Sequence, residues 1–547
     1  MIARRAGSMS SSHYHLHTED TTGGRPAPPW HGGLLGALTA CATLLLVLSF
    51  TAGSPEQAHR STSQQLSAVP TCKNGFPVDF IWGLGTAAYQ IEGGVDLFGR
   101  TPSIWDTFSH VQGKTYNGDT GDTACDHIHR YKSDVQLMKS IRLRHYRFSI
   151  SWSRVMTWDA AARAMVPNEP GLRWYDSLLD ELEGAGITPY VTLYHWDLPQ
   201  ALHDELGGWH TPDNTQMHDE FVRYARLCFE RFGARVHFWV TFNEPWTFAV
   251  SGYSQGNHAP GCAPAADGPC PNGDTAPYIV AHNVLLAHAA AAHAFHAEFE
   301  PKHGGAVSIT LPCEISTPLT SAAEDVAAAE RANEFFLGWW LQPLVSGDYP
   351  AVMREYVGGR LPRFTPAQAA MLRGSIDVLT LNHYSTRLVR AARPGETGDA
   401  SSGWMADQKL YSSFGDGWPA AASPWQRAYP RGIRMLLNWA AAPGGTRWRG
   451  DVIITENGWS CNSFDAHAAA HDTQQVDYFD GYTEQMRLAL VEDGVRVKGY
   501  FGWSLMDNYE WADGYSKRFG LFYVDYATQQ RLPKAAARWW NETRGGC

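Results

Sequence analysis

Two glutamates stand at the ends of apolar runs: Glu244 in Thr241-Phe242-Asn243-Glu244-Pro245-Trp246, and Glu456 in Ile454-Thr455-Glu456-Asn457-Gly458. Burying a carboxylate at the end of an apolar strand is costly unless the group is paired or has chemical work to do. Glycosidic hydrolysis is a chemistry that needs two such groups. One carboxyl protonates the leaving oxygen, and a second carboxylate attacks or stabilises the oxocarbenium-like centre. Either glutamate taken alone fits a salt-bridged core residue equally well, so the surroundings must decide.

Those surroundings are short apolar strands separated by longer helical stretches. Eight candidate strands run over Phe80–Ala88, His145–Ile150, Pro189–Trp196, His237–Asn243, Ala306–Leu311, Ile376–Asn382, Asp451–Glu456 and Val497–Leu505. Amphipathic segments such as Trp174–Gly184, Asn214–Phe232 and Tyr278–Glu300 lie between them. Alternation of buried-type strands with helices predicts a parallel α/β fold, and eight such units predict a (β/α)8 TIM barrel with long βα loops. A doubly wound sheet is the alternative, but no glycine-rich phosphate fingerprint follows the first strand. Polar residues gather where the strands end. Gln90 follows the first, Arg147 lies in the second, His195 closes the third and Asn243-Glu244 the fourth. Asn382-His383-Tyr384 follows the sixth, Glu456-Asn457 closes the seventh, and Trp503 lies in the eighth. A barrel collects all of these ends on one face, where such folds build their sites.

The chain has 547 residues, a formal net charge of -11 and only 18% charged residues, which argues against a nucleic-acid partner. Its 22 Trp, 23 Tyr and 23 Phe fit either a large core or a carbohydrate site, where sugar C–H faces pack on aromatic rings. The sequence divides into a basic and polar leader (1–31), an apolar segment (32–53), a polar linker (54–71) and the barrel (72–547). The apolar segment reads either as a signal peptide or as an uncleaved anchor, and so as a membrane attachment with the basic flank cytoplasmic. Both readings put the body of the protein in the secretory pathway: lumenal, extracellular, or held as a type II membrane protein. Cysteine usage agrees, since Cys262 and Cys270 bracket a Pro/Gly/Ala loop that reads as disulfide-closed. A metal site is the alternative there, but no His/Cys quartet with ligand spacing lies nearby. Cys125, Cys228 and Cys313 sit in apolar or helical contexts and read as buried thiols. Asn541-Glu542-Thr543 is a glycosylation sequon.

The motifs taken together resemble glycoside hydrolase family 1, the β-glucosidase and β-galactosidase group. They are Phe80-Ile81-Trp82-Gly83 with Tyr89-Gln90-Ile91-Glu92-Gly93, Tyr146-Arg147-Phe148-Ser149, and Thr192-Leu193-Tyr194-His195-Trp196-Asp197-Leu198-Pro199. The segments around Glu244 and Glu456 follow, and then Gly502-Trp503-Ser504-Leu505-Met506-Asp507-Asn508-Tyr509-Glu510-Trp511. The likeness covers about residues 72–540 and leaves out only the N-terminal arm.

The resemblance implies a retaining β-glycosidase that needs no cofactor or metal and acts on the terminal sugar of a small-molecule or oligosaccharide β-glycoside. Glu456 would be the nucleophile and Glu244 the acid/base, with Arg147 and Tyr384 supporting the nucleophile. Asn243 would hold the sugar 2-hydroxyl, and Gln90, His195 and Glu510 the other hydroxyls. Trp511 would donate its indole N–H, Trp503 would stack under the ring, and Phe519 would border it. Trp425 would wall the leaving-group slot, which the segment from Arg393 to Trp418 either shapes or merely adjoins as a mobile loop. An acceptor alcohol could replace water on the same intermediate, giving transglycosylation. Non-catalytic relatives lose one of the two glutamates, and this chain keeps both.

Overall fold

The computed structural model describes residues 71–72, 74–262, 273–462 and 465–544. The chain divides into two compact units, and the first, Met1–Leu66, lies wholly outside the described residues, as does the apolar segment 32–53 within it. In the second unit eight parallel strands close into a barrel in chain order: Ile81–Gly85, His145–Ser149, Thr188–Tyr194, Phe238–Asn243, Ala306–Pro312, Leu379–Asn382, Val452–Asn457 and Val497–Trp503. The eighth strand pairs with the first, so no edge is left open. All eight predicted strands are present. The first stops short of its predicted end because the chain turns into the helix Ala88–Ile91, and the sixth begins later, at Leu379.

Helices cover the barrel by burying one stripe. Thr215–Phe232 turns Met217, Phe221, Tyr224, Ala225, Cys228, Phe229 and Phe232 inward, the helical spacing of a core-facing stripe. It starts where the Asn214 side chain accepts the Met217 N–H at 3.1 Å. Ala276–Ala294 is apolar all round and almost entirely buried, because further helices pack outside it. A small sheet of Ile315–Pro318, Thr386–Ala391 and Leu410–Ser413 is built from chain that leaves the fifth and sixth strands.

Inside the barrel, side chains form layers. Tyr190, Phe238, Val240, Ile453 and Phe501 make an apolar plug. Gly83 is required beside it, since a Cβ there would lie 2.2 Å from the Phe501 ring. Above the plug is a hydroxyl layer: Ser308 Oγ meets Thr380 Oγ1 at 2.9 Å, and Thr310 Oγ1 meets Thr455 Oγ1 at 3.2 Å.

Two bulges then set the top layer. The fourth strand pairs Val240 with Ser308 but Asn243 with Thr310, one residue more than its neighbour over that stretch. Thr241 and Phe242 therefore both turn outward. Thr241 Oγ1 meets His288 Nδ1 of the outer helix at 2.7 Å, and Phe242 stacks on Phe221 at 4.3 Å. Asn243 returns to the interior. The seventh strand pairs Ile454 with Leu381 but Glu456 with Asn382, again with one extra residue. Thr455 and Glu456 both face inward, while Asn457 points out and donates to Tyr478 at 2.9 Å.

Cys270 lies outside the described residues, so its pairing with Cys262 does too; Cys262 itself is buried and disulfide-bonded. Cys72, which the sequence did not single out, is also disulfide-bonded. Cys125, Cys228 and Cys313 are buried free thiols, as is Cys461. Asn541 lies half-buried in the helix Ala535–Thr543.

Candidate active site

A cavity of ≈ 470 Å³ opens at the C-terminal ends of the strands, with Glu244 and Glu456 both on its wall. Glu244 is the first residue after the fourth strand and holds a left-handed backbone (φ 48°, ψ 60°), costly for a residue with a side chain and further constrained by the proline that follows. Its N–H donates to Thr310 O at 2.9 Å, which fixes the turn.

The two carboxyls have different company. Glu456 Oε1 receives the Arg147 guanidinium at 2.5 Å, and its Oε2 receives the Tyr384 hydroxyl at 2.8 Å. Both Arg147 and Glu456 are almost fully buried, so this ion pair works in a low dielectric. Glu244 has only neutral donors: Asn382 Nδ2 to Oε1 at 2.7 Å and Thr247 Oγ1 to Oε2 at 2.8 Å. Burial pushes Glu244 up to about 7, with the charge of Glu456 as the second cause. The hydrogen bonds from Asn382 and Thr247, and then Arg147, oppose it. One carboxyl is thus set up as a proton donor near neutrality, and the other sits beside a permanent positive charge.

Asn243 links this pair to the rest of the wall. Its Oδ1 accepts from Arg147 at 2.7 Å and from Asn382 at 3.1 Å, which turns its Nδ2 toward His195 Nε2 at 3.1 Å. Burial, and then Arg147, hold the His195 imidazole well below its ordinary value. The ring is therefore neutral, accepts through Nε2 and carries its proton on Nδ1, which is buried and has no partner among the described residues.

His195, Trp503, Glu510, Trp511 and Phe519 line the same cavity. Trp511 lies nearly parallel to the His195 ring at 6.0 Å, and Trp503 likewise at 5.9 Å. Gly85 makes room for Trp503, since a Cβ there would sit 3.2 Å from its ring. Burial pushes Glu510 well above the carboxylate range, and the carboxylates of Asp513, Glu456 and Glu244 add to it. Gln90 sits behind Glu510, not on the wall: its Nε2 donates to Tyr509 O at 2.9 Å, Asn508 Oδ1 at 3.0 Å and Glu510 Oε2 at 3.3 Å, leaving Oε1 buried and without a partner. Trp425, 37% exposed, stands at the mouth, stacked on Phe519 at 6.2 Å.

The sequence reading missed the two donors on Glu244. Asn382 was visible only as a polar strand end, and Thr247 lies three residues after Glu244 at the start of a helical turn, a spacing that brings the two side chains together. It also missed Trp246, Phe336, Trp404 and Met405, which line the far part of the cavity. The segment from Arg393 to Trp418 contains the helix Gly403–Asp407 and the strand Leu410–Ser413, and it contributes to that wall.

Comparison with known proteins gives the same picture over the whole barrel. The sequence model for "Glycosyl hydrolase family 1" matches residues 72–544. β-Glucosidase 1B of Phanerodontia chrysosporium is 42% identical over 480 residues, 86% of each chain. A mutant rice β-glucosidase solved in a covalent complex with Glc superposes with a TM-score of 0.81 at 40% identity, over 86% of this chain and 98% of that one. A family 1 β-glucosidase of the fungus Humicola insolens, solved with glucose, superposes with a TM-score of 0.80 at 38% identity, over 85% of this chain and 97% of that one.

Proposed function

The chain belongs to glycosyl hydrolase family 1, and from that premise we propose that Glu456 and Glu244 divide the work of a retaining β-glucosidase as nucleophile and acid/base. The observation that carries the assignment is the difference between the two carboxyls: Glu456 is tied to Arg147 and Tyr384, while Glu244 is raised to about 7 among neutral donors.

In the first step the Glu456 carboxylate bonds to the anomeric carbon as the glycosidic C–O bond breaks, and Glu244 gives its proton to the departing oxygen. Once Glu456 is an ester its charge is gone, and with it the second largest cause holding Glu244 up. Glu244, now ionised and less raised, takes a proton from water as the water oxygen attacks the anomeric carbon and releases Glu456. The Tyr384 hydroxyl and the Arg147 guanidinium remain to receive the returning carboxylate.

The sugar lies between Trp503 and the rim formed by Glu510 and Trp511. His195 and Asn243, both on the cavity wall, offer polar groups to its hydroxyls. Glu510, raised by burial, lies on the same wall with its carboxyl available to the sugar hydroxyls. Arg147 acts on the sugar only through Glu456 and Asn243. Gln90 acts through Glu510.

We extend the proposal to location. The body works in a lumenal or extracellular space, a reading supported by the apolar segment 32–53 behind a basic leader and by two disulfide-bonded cysteines, Cys72 and Cys262.

A panel of aryl β-glycosides differing only at C4 and C2 tests the substrate assignment. The gluco configuration should give the highest kcat/KM. A preference of tenfold or more for the galacto or manno epimer would overturn it.

A further inference from the structure

The cavity continues past the two carboxylates into a pouch bounded by Trp246 and the small sheet of Ile315–Pro318, Thr386–Ala391 and Leu410–Ser413. We propose that this pouch seats an apolar, non-saccharide leaving group, so that the preferred substrates are β-glucosides of hydrophobic alcohols. The proposal rests on Glu244 as the proton donor. The leaving oxygen must face that carboxyl, and Trp246 and Thr247, which follow Glu244 in the chain, line the same cavity.

Hydrocarbon, aromatic and thioether groups make up the larger part of the lining, with the polar side chains of Gln255, Ser316, Gln408 and Ser412 between them. Trp246 lies flat on Phe336, with centroids 4.1 Å apart and planes 18° from parallel, and meets Trp404 edge-on at 5.0 Å. Val389 and Leu410 also line it, packed with Ala332 of the helix Ala323–Asn333. Met405 closes the side and can adapt its shape to what enters.

Charged groups do reach the pouch, but they are committed to other partners. Arg387 forks onto Glu314 at 2.8 and 3.1 Å, and Asp399 Oδ2 accepts both the N–H and the O–H of Ser412, at 2.9 and 2.6 Å. A sugar ring seated there would press most of its hydroxyls against aromatic and aliphatic carbon, a cost that a hydrocarbon does not meet. Each methylene that enters an apolar site gains about fourfold in binding.

The test compares kcat/KM for methyl, butyl and octyl β-D-glucosides, the last below its micellar concentration, with cellobiose and cellotriose. It is run on the wild type and on Met405→Glu, a change at a half-buried side chain outside the catalytic set. Values should climb about fourfold per methylene until the pouch is full and should pass those of both oligosaccharides. Met405→Glu should lower the octyl value tenfold or more and leave methyl β-glucoside unchanged. A flat alkyl series, an octyl value untouched by Met405→Glu, or cellotriose exceeding octyl would overturn the pouch assignment while hydrolysis of methyl β-glucoside still stood. Failure to cleave any glucoside would remove the underlying function and this inference with it.

Discussion

The two ends of the barrel use the same strands for opposite purposes. At the N-terminal end Phe238, Val240, Ile453 and Phe501 fill the interior with apolar volume. At the C-terminal end the continuation of those strands presents Asn243 and Glu456 to Arg147 and Asn382. Val240 and Asn243 are three residues apart, as are Ile453 and Glu456, and in an unbroken strand such pairs face opposite sides. The extra residue in each strand brings both members of each pair into the same interior. A packed base and a chemical mouth therefore need no separate elements, only a shift in register between them. The apolar plug anchors the strands. The bulges aim the carboxyls.

That contrast breaks most sharply by substitution on either side of one bulge. Glu456→Gln keeps the shape of the side chain and should lower kcat on the order of 10⁴-fold or more. Ile453→Ala should cost about 2–5 kcal/mol of stability with kcat per folded molecule unchanged. Denaturant midpoints and active-site-normalised rates on both variants check this. If the folded Ile453→Ala protein loses activity as deeply as Glu456→Gln, the two ends are not separable.

Within the mouth, the two carboxyls should differ in what they need from the leaving group. Glu244→Ala should lower kcat/KM for alkyl glucosides about 10²–10⁴-fold and spare kcat/KM for glucosides of strongly acidic phenols, which leave without a proton, although their kcat falls with the loss of the base. Equal losses of kcat/KM on both substrates would mean that Glu244 is not the acid.

Proton linkage at Glu244 gives a smaller effect. Its acid form is the active one and it is raised to about 7, so kcat/KM should hold below that pH and fall as pH rises through it. Asn382 opposes that rise, so Asn382→Ala should move the alkaline limb to higher pH. An unmoved limb in the pH–kcat/KM profile would contradict the assignment.

The smallest effect concerns stability alone. Burial raises Asp197, just beyond the third strand, to about 8, with Arg100 opposing and Glu92 adding to the rise. Its folded value lies above its unfolded one, so its contribution to stability is full below about pH 4 and is lost as pH climbs toward 8. Asp197→Asn should therefore stabilise the protein more at pH 8 than at pH 5 in urea unfolding. An equal change at both pH values would exclude it.

The strands, their order and the polar strand ends were legible in the sequence, because buried strands read as apolar runs and the polar residues interrupt them where they end. The bulges were not. Strict alternation groups Thr241 with Asn243, and nothing in Thr241-Phe242-Asn243 marks the extra residue that turns Thr241 out to His288. The motif around Glu244 located the acid but not what holds it, because Asn382 reaches Glu244 from a strand more than a hundred residues away. The pouch was hidden for a similar reason. Trp246, Phe336 and Trp404 come from three distant segments, and each reads alone as an ordinary core aromatic.

The division of labour between the two glutamates is tested most directly with 2-deoxy-2-fluoro-β-D-glucosyl fluoride. The fluorine at C2 slows both steps, and the reactive fluoride leaving group keeps the first fast enough for the glycosyl-enzyme to accumulate. Mass spectrometry of the digested protein should find one fluoroglucosyl group on the peptide carrying Glu456. A label on Glu244 or Glu510, or turnover with no label and an inverted product, would contradict the account.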